Sequence, residues 1–528
     1  MKIALAYAPS EQQFIPVPPL GIAVLGSYLR EKGVPVDTLD FELELWLSRG
    51  GSSSEFAQTN SSLFEILDDV YLTQLADKLL PYDIVCFSLM GARQLPYTKY
   101  IVQQLKKHKK DRTIIIGGAL LTDENAFEIL EAVSGKYAII GEGWNALYQT
   151  IKNITFNNND DSIQVTEEDG RYAVKNKAAK DPLHIPMADY SDININGYIE
   201  QQKKLYKLNY NAINYQLLVG DRCCPYNCSF CRISKNTDKI KSAKTIADEM
   251  ITLNKLYNCK NFSLICNEMN PTRQFILDFA NYLKMGDNHL NWFCYLRPNN
   301  LSKDDIGLLR DAGCIMARYG VESGSQKILD NMNKRLNVDE IEQVLRDAHS
   351  AGIWNHINII TGYLYETDDD IFQTLEFIRR NQEFIDSVRV NPFFIPINSP
   401  IHLQPEKFNI SINKNTGSHI IFDQENSVWE DKKQQIKDST DIILSECIKL
   451  GIGFAGILPN LVATALAYFE DKEQAKEWLR SNHAYLWQPL SPDTAKWRLA
   501  HPDIVDIEIN PWSNISGERG DNYKTRLI

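Results

Sequence analysis

The stretch that most restricts this chain is Asp221-Arg222-Cys223-Cys224-Pro225-Tyr226-Asn227-Cys228-Ser229-Phe230-Cys231, where Cys224, Cys228 and Cys231 fall at the spacing Cys-x3-Cys-x2-Cys. The run just before it, Ile213 to Gly220, reads as a strand. A four-iron cluster is usually held by four thiolates, so three from one short loop leave one iron open to a small chelating ligand. The loop therefore reads as a reaction site and not merely as an electron relay. A structural zinc site is the plainer alternative. Closed zinc sites usually pair Cys-x2-Cys units with a fourth Cys or His at matching spacing, and no second pair exists in this chain. A disulfide is the remaining alternative.

At 528 residues the chain exceeds one ordinary core, and two or three domains are expected. With 44% hydrophobic and 23% charged residues the composition is globular. A net charge of -12 argues against nucleic acid as a partner, because that binding needs dense Lys and Arg to displace counterions. The basic run Lys106-Lys107-His108-Lys109-Lys110 ends a predicted helix and reads as a solvated face. Met1 to Tyr7 reads as a strand and not as a signal peptide. No apolar run approaches the roughly twenty residues needed to span a bilayer. Ten Cys, three of them clustered, suggest a reducing compartment, so a cytoplasmic location without membrane partners is expected.

The cysteine loop resembles the signature of the radical S-adenosylmethionine (radical SAM) enzymes, and Phe230, the aromatic residue before the last thiol, matches that family too. The resemblance implies a 4Fe-4S cluster held by Cys224, Cys228 and Cys231, with Cys223 left over and SAM chelating the open iron through its amino and carboxylate groups. It also implies an electron donor such as flavodoxin or ferredoxin.

Residues 1–150 alternate short apolar runs with helical patterns, which predicts an α/β fold with a parallel, doubly wound sheet. Ligands of such sheets bind past the carboxyl ends of the strands. Those ends carry Ser88-Leu89-Met90-Gly91, Gly117-Gly118 and Gly141-Glu142-Gly143, small residues that let a bulky ligand approach the backbone. With Pro18-Pro19-Leu20-Gly21 they resemble the cobalamin-binding domain that precedes many radical SAM domains. That resemblance implies cobalamin against Ser88, Gly117, Gly118, Gly141, Glu142 and Gly143. The Asp-x-His-x2-Gly signature is absent, so no His ligand to cobalt is expected from that loop. A fold kept without its cofactor is the alternative.

Residues 151–212 read as a hairpin about Asp169-Gly170 followed by a linker. Over 213–422 strand and helix alternate again, with strands expected near Phe262 to Ile265, Trp292 to Leu296, Ile315 to Val321, His356 to Thr361 and Ser387 to Ile395. Six such units fit the partial barrel of the radical SAM family, whose chemistry sits at the carboxyl ends of strands. Residues 423–528 read as a mostly helical cap that either closes the barrel mouth or buries its own aromatics, among them Trp487, Trp497 and Trp512. By analogy with the family, Glu268 faces the SAM amino group, Arg297 or Ser323 the carboxylate, and Glu322 the ribose. Glu322 stands in Gly320-Val321-Glu322-Ser323-Gly324-Ser325, which resembles a family motif, whereas the others could equally be ordinary strand-end residues. Gly362-Tyr363-Leu364-Tyr365-Glu366-Thr367 and Pro396-Ile397-Asn398-Ser399-Pro400 depart from the family's Gly-Phe-Pro-Gly-Glu-Thr and Pro-Gly-Thr-Pro.

The reaction implied is reductive cleavage of SAM to a 5'-deoxyadenosyl radical that takes hydrogen from an unactivated carbon of a small molecule or peptide. Cobalamin would then make the outcome C-methylation of a natural product or peptide. Without it the outcome is epimerisation or cyclisation of a ribosomally made peptide, with Cys294 or Cys447 as hydrogen donor, unless these are simply buried small hydrophobes. An iron-sulfur redox sensor is the non-enzymatic reading.

Overall fold

The computed structural model describes residues 1–10, 17–48, 69–156, 160–177, 185–220, 224–232, 240–286, 289–415, 420–424, 427–454 and 459–483. The chain divides into two compact units, the first formed by Met1–Asn211 and the second starting at Ala212. Trp487, Trp497, Trp512, Cys223 and Pro182 lie outside the described residues. No helix among the described residues is long and apolar enough to cross a membrane.

The first unit alternates β1 (Ile3–Tyr7), α1 (Leu20–Glu31), β2 (Asp37–Asp40), α2 (Phe41–Ser48), α3 (Asp69–Leu79), β3 (Ile84–Ser88), α4 (Leu95–His108), β4 (Thr113–Gly117), α5 (Ala126–Val133), β5 (Tyr137–Ile140) and α6 (Gly143–Phe156). The strands β1, β3 and β4 are almost wholly buried, as their continuous apolar runs require of a sheet covered on both faces. All five strands pair in parallel in the order β2-β1-β3-β4-β5, which reverses direction between β1 and β3. That reversal opens a crevice at the carboxyl ends of the strands, the usual ligand position in such sheets. The hairpin expected about Asp169-Gly170 forms as β6 (Ile163–Glu168) and β7 (Arg171–Asn176). It extends the same sheet, because β7 pairs with β5 in parallel. Helix α7 (Ile195–Tyr206) completes the unit, and its Tyr198 hydroxyl donates to Asp40 Oδ2 at the end of β2.

The second unit holds the six expected strands: β8 (Asn214–Leu218), β9 (Asn261–Ile265), β10 (Asn291–Leu296), β11 (Cys314–Glu322), β12 (Trp354–Thr361) and β13 (Ser387–Pro392). They pair in chain order and in parallel throughout, an open partial barrel. Between them run α8 (Ala243–Tyr257), α9 (Arg273–Lys284), α10 (Lys303–Asp311), α11 (Gln326–Asn331), α12 (Val338–Ser350) and α13 (Asp368–Arg380). Side chains of Ser242, Thr272, Ser302 and Asn337 accept from the first free backbone N–H groups of α8, α9, α10 and α12. These caps fix where each helix turns back along the sheet.

After a short α14 (Pro400–Leu403) comes a hairpin, β14 (Ile410–Asn415) with β15 (Ile420–Gln424), then α15 (Trp429–Lys449), α16 (Pro459–Phe469) and α17 (Lys472–Asn482). The expected helical cap is present, and its place is the floor of the barrel. Helix α16 is buried all round and packs on β8, β9 and β11. Its Asn460 carbonyl and Thr464 Oγ1 lie 2.9 and 3.0 Å from Asn214 Nδ2 at the start of β8. In α17, Lys472 and Lys476 reach Asp386, just before β13, at 3.2 and 3.1 Å. Both anchors sit at the amino-terminal ends of strands, so these helices close the end opposite the mouth.

Candidate active site

The cysteine loop leaves β8 and is gripped from several sides. Ser229 N donates to Met332 O at 2.9 Å and Ile401 N donates to Ser229 O at 3.1 Å. Asn333 Nδ2 donates to Asn227 O at 2.8 Å. The hydroxyls of Ser229 and Tyr363 share a hydrogen bond of 2.6 Å. Tyr363 belongs to one of the two stretches that depart from the family's sequence, and Ile401 directly follows the other. Phe230 packs against a buried cluster that includes Tyr363, Phe393, Ile401 and Phe422. Cys228 is buried, while Cys224 and Cys231 are half-buried. Among the described residues no three His, Cys, Asp or Glu side chains converge on a point as for a single metal ion. A four-iron cube does not ask for that, since its three protein-held irons are separate corners.

Two of the expected strand-end residues meet the loop directly. The Cys224 thiol donates to Glu268 Oε2 at 3.4 Å, and burial with the Glu268 charge pushes that thiol up to about 12. Such a thiol keeps its proton until a metal cation displaces it. Glu268 is 5% exposed, and burial lifts its carboxyl to about 7 against the pull of Arg297. Its Oε1 has no partner. Arg297 is equally buried, lies 3.7 Å from the ring centroid of Tyr226 between the first two thiols, and leaves Nε and Nη2 unpartnered. Asn270 fixes its backbone on both sides, at 2.8 and 2.9 Å. An orphaned carboxylate oxygen and an orphaned guanidinium beside the thiols match the ammonium and carboxylate of an amino-acid chelator.

Glu322 ends β11 at a bulge with a φ of 68°. It is buried in an ion pair of 2.8 Å with Lys334, whose ammonium lies 5.8 Å from the Phe230 ring centroid. Gly320 makes room for the pair, because a Cβ there would meet Glu322 Oε1 at 2.6 Å and Lys334 Nζ at 2.9 Å. Ser323 is fully buried, but its hydroxyl faces α13, bonded to Thr374 Oγ1 at 3.2 Å and to the Ser325 N–H at 3.1 Å. Cys294 pairs in register with Ala317 on the helix-facing side of the sheet, turned from the lumen. Cys447 lies near the far end of α15, whose start carries Lys432 bonded to Tyr363 O and whose exit puts Gly453 beside Ser387. It therefore lies toward the floor. Tyr226, Lys334 and Tyr363 were not singled out by sequence reasoning. Only the position of Tyr226 between two thiols offers a signal.

In the first unit, Ser88, Gly117, Gly118, Gly141, Glu142 and Gly143 all lie at carboxyl ends of β3, β4 and β5, of which β3 borders the reversal. Their jobs differ. At Gly118, φ is 109° and a Cβ would fall 2.3 Å from Leu89 O, so this glycine serves strand-end packing. Gly141 has φ 78° and open space around its missing Cβ. Gly143 begins α6, and Glu142 O accepts from Asn176 Nδ2 at 2.9 Å. The buried Gln94 ties two strand-end loops together, donating to Ala8 O and accepting from Met90 N, both at 2.5 Å. No His occurs in residues 1–107, so no imidazole reaches this edge from the strand-end loops. The open backbone at Gly141 leaves room for a large flat ligand to approach.

Against known families, residues 221–378 match the radical SAM superfamily and residues 15–150 match the B12 binding domain. The chain is a radical SAM enzyme with a B12-binding-type domain ahead of its barrel, and the cofactors of that superfamily are a 4Fe-4S cluster and SAM. It is 20% identical to an uncharacterized methyltransferase of Pyrococcus horikoshii, over 72% of this chain and 78% of that protein. It is 26% identical to the bacteriochlorophyllide d C-8(2)-methyltransferase of Chlorobaculum tepidum, over 31% of this chain and 39% of that one. Among solved structures it shares its fold with the radical S-adenosylmethionine methyltransferase TsrM from Kitasatospora setae with cobalamin and [4Fe-4S] cluster bound. That match has TM-score 0.60 and 14% identity, covering 92% of this chain and all of that one. The cobalamin-dependent S-adenosylmethionine radical enzyme OxsB is similar at TM-score 0.60 and 16% identity, over the whole of this chain and 78% of that one.

Proposed function

We propose that this enzyme is a cobalamin-dependent C-methyltransferase that acts on an unactivated carbon of a small molecule or peptide in a reducing, cytoplasmic compartment. The observation that carries the reading is the pair of orphaned groups, Glu268 Oε1 and the Arg297 fork, set beside the three-thiol loop. Cys224, Cys228 and Cys231 would hold the cluster. When bound, the cluster supplies the electron for reductive cleavage of SAM, and cobalamin carries the methyl group.

The chain's own residues position and exclude. Glu268 would accept from the SAM ammonium and Arg297 would donate to its carboxylate, two directional contacts that orient the sulfonium toward the open corner. The Glu322–Lys334 pair lies next to that position and offers a carboxylate oxygen to ribose hydroxyls. Phe230 and the apolar cluster behind it would keep water from the reacting groups. A one-electron donor of the flavodoxin or ferredoxin class would feed the cluster.

The test is anaerobic reconstitution with iron, sulfide and hydroxocobalamin, followed by SAM and a reductant. Cluster absorbance, a bound corrinoid spectrum and 5'-deoxyadenosine are expected from the wild type, and the first and third are expected to vanish in Cys228→Ala. Full turnover by Cys228→Ala would refute the ligand assignment. A wild type that makes 5'-deoxyadenosine yet binds no corrinoid would remove methyl transfer.

A further inference from the structure

One inward-facing layer of the barrel carries charge that no carboxylate among the described residues balances. In register across the sheet lie Tyr295 with Arg318, Arg318 with His356, His356 with Ser387, and Asn358 with Arg389, so these side chains share a face. The opposite face packs on helices: Asn355 Nδ2 donates to Leu345 O of α12 at 2.8 Å. The shared face is therefore the lumen side, above the floor made by α16.

Arg318 is 6% exposed, and its guanidinium lies 4.3 Å from the Tyr295 ring centroid. Its Nε and Nη2 have no hydrogen-bond partner, and among the described residues no carboxylate pairs with it. His356 is 1% exposed. Its Nδ1 lies 3.0 Å from Ser387 Oγ, which also accepts from Trp354 Nε1 at 2.9 Å. The indole can only donate, and in the tautomer with its proton on Nε2 the imidazole accepts the Ser387 hydroxyl proton at Nδ1, which leaves Nε2–H as the donor. That Nε2 makes no hydrogen bond of ordinary geometry, with the Asn358 side chain as its polar neighbour. Burial, with the charges of Arg318 and Arg389, holds His356 neutral, well below its ordinary value. The layer thus presents a guanidinium fork and an imidazole N–H, with the charge of Arg389 near the imidazole. A buried cation without a counter-ion is costly, and since none of the described residues supplies the anion, a bound ligand that does so would be stabilised there.

We propose that this layer seats an oxyanion of the substrate, a carboxylate or a phosphate, on the Arg318 fork with His356 Nε2–H beside it. The inference deepens the proposed function and rests on the barrel being its reaction chamber. Arg318 stands two residues before Gly320 and Tyr295 two before Arg297, so the anion sits about 7 Å deeper than the residues assigned to SAM. A small organic acid or a monophosphate spans that depth, with its reacting carbon directed toward the cysteine loop.

The test follows thermal unfolding of the full, cluster-loaded chain during titration with inorganic phosphate, acetate and, at matched ionic strength, chloride. A saturable rise in Tm of about 2 °C or more is expected with phosphate or acetate and not with chloride. Response to phosphate alone marks a phosphorylated substrate, and response to acetate alone a carboxylic acid. Arg318→Met should abolish the response, and Arg318→Lys, which keeps charge without the fork, should raise the half-saturating concentration about tenfold. No saturable response in the wild type overturns the proposal, as does one that survives Arg318→Met. Should Arg318→Met not fold, the wild-type and Arg318→Lys titrations decide. Cluster absorbance of the same samples reports on the proposed function separately, so the two readings fail independently.

Discussion

A single methyl group on Gly320 would land on the Glu322–Lys334 ion pair, since both charged ends lie within 3 Å of where it would sit. Gly320→Ala should therefore displace the ammonium from Phe230 and cost about 1–3 kcal/mol, read as a lower urea midpoint at unchanged m. Breaking the pair from one side should cost more. Lys334→Met leaves the Glu322 carboxylate buried and alone, about 3–5 kcal/mol, and adding Glu322→Gln should restore a large part of the loss. If the double variant is no more stable than Lys334→Met, the pair does not hold this site together. Glu322 stands in a readable motif, whereas Lys334 belongs to none. Lys334 enters the site only because the loop after α11 folds back across more than a hundred residues onto the cysteine loop, as the Asn333 to Asn227 bond records.

At the scale of elements, the end of β2 and the start of α2 carry two buried acids, Asp40 and Glu42, close enough to raise one another's charge cost. Glu42 accepts from the Ser10 backbone and hydroxyl and from Trp46 Nε1, yet burial raises its carboxyl from 4.5 to about 8. Asp40 is raised to about 6 for the same reason, against hydrogen bonds from Tyr198 and Leu43. Between the unfolded and folded values the folded state binds more protons, so these groups make stability fall as pH rises from about 4 to about 8. Above about 8 their contribution levels off. Denaturation midpoints across pH 5 to 8 should show that decline in the wild type and a shallower one in Glu42→Gln; equal slopes would mean that Glu42 is ionised throughout.

The elements themselves were largely legible. Ile114-Ile115-Ile116 and its counterparts are continuous apolar runs that only a sheet covered on both faces can absorb. The β14–β15 hairpin was not foreseen, because its alternation is short and its apolar residues are spent on a cluster assembled from distant loops. Nor could spacing reveal Tyr363 as a brace for Ser229. A tyrosine in an apolar loop looks like core until the fold brings a hydroxyl to it.

For the whole molecule, the chain's last described helices decide whether the barrel is a chamber or a tube. Sequence pattern gave their helicity and not their address, because a floor and a lid have the same amphipathic requirements. The address is fixed by Asp386, fully buried at the start of β13 and shared by Lys472, Lys476 and the Asn355 N–H. Asp386→Asn removes the one negative charge that faces two largely buried ammonium groups, and the loss should be about 3–5 kcal/mol. If the floor folds as one with the strands, that loss appears as a single transition at lower denaturant with m unchanged. If α16 and α17 form a separate cooperative piece, an early transition appears in which backbone amides of the two helices lose exchange protection while those of β11 and β12 keep theirs. Either pattern supports a floor clamped by Asp386, and a midpoint equal to the wild type's in both exchange and denaturation would overturn it.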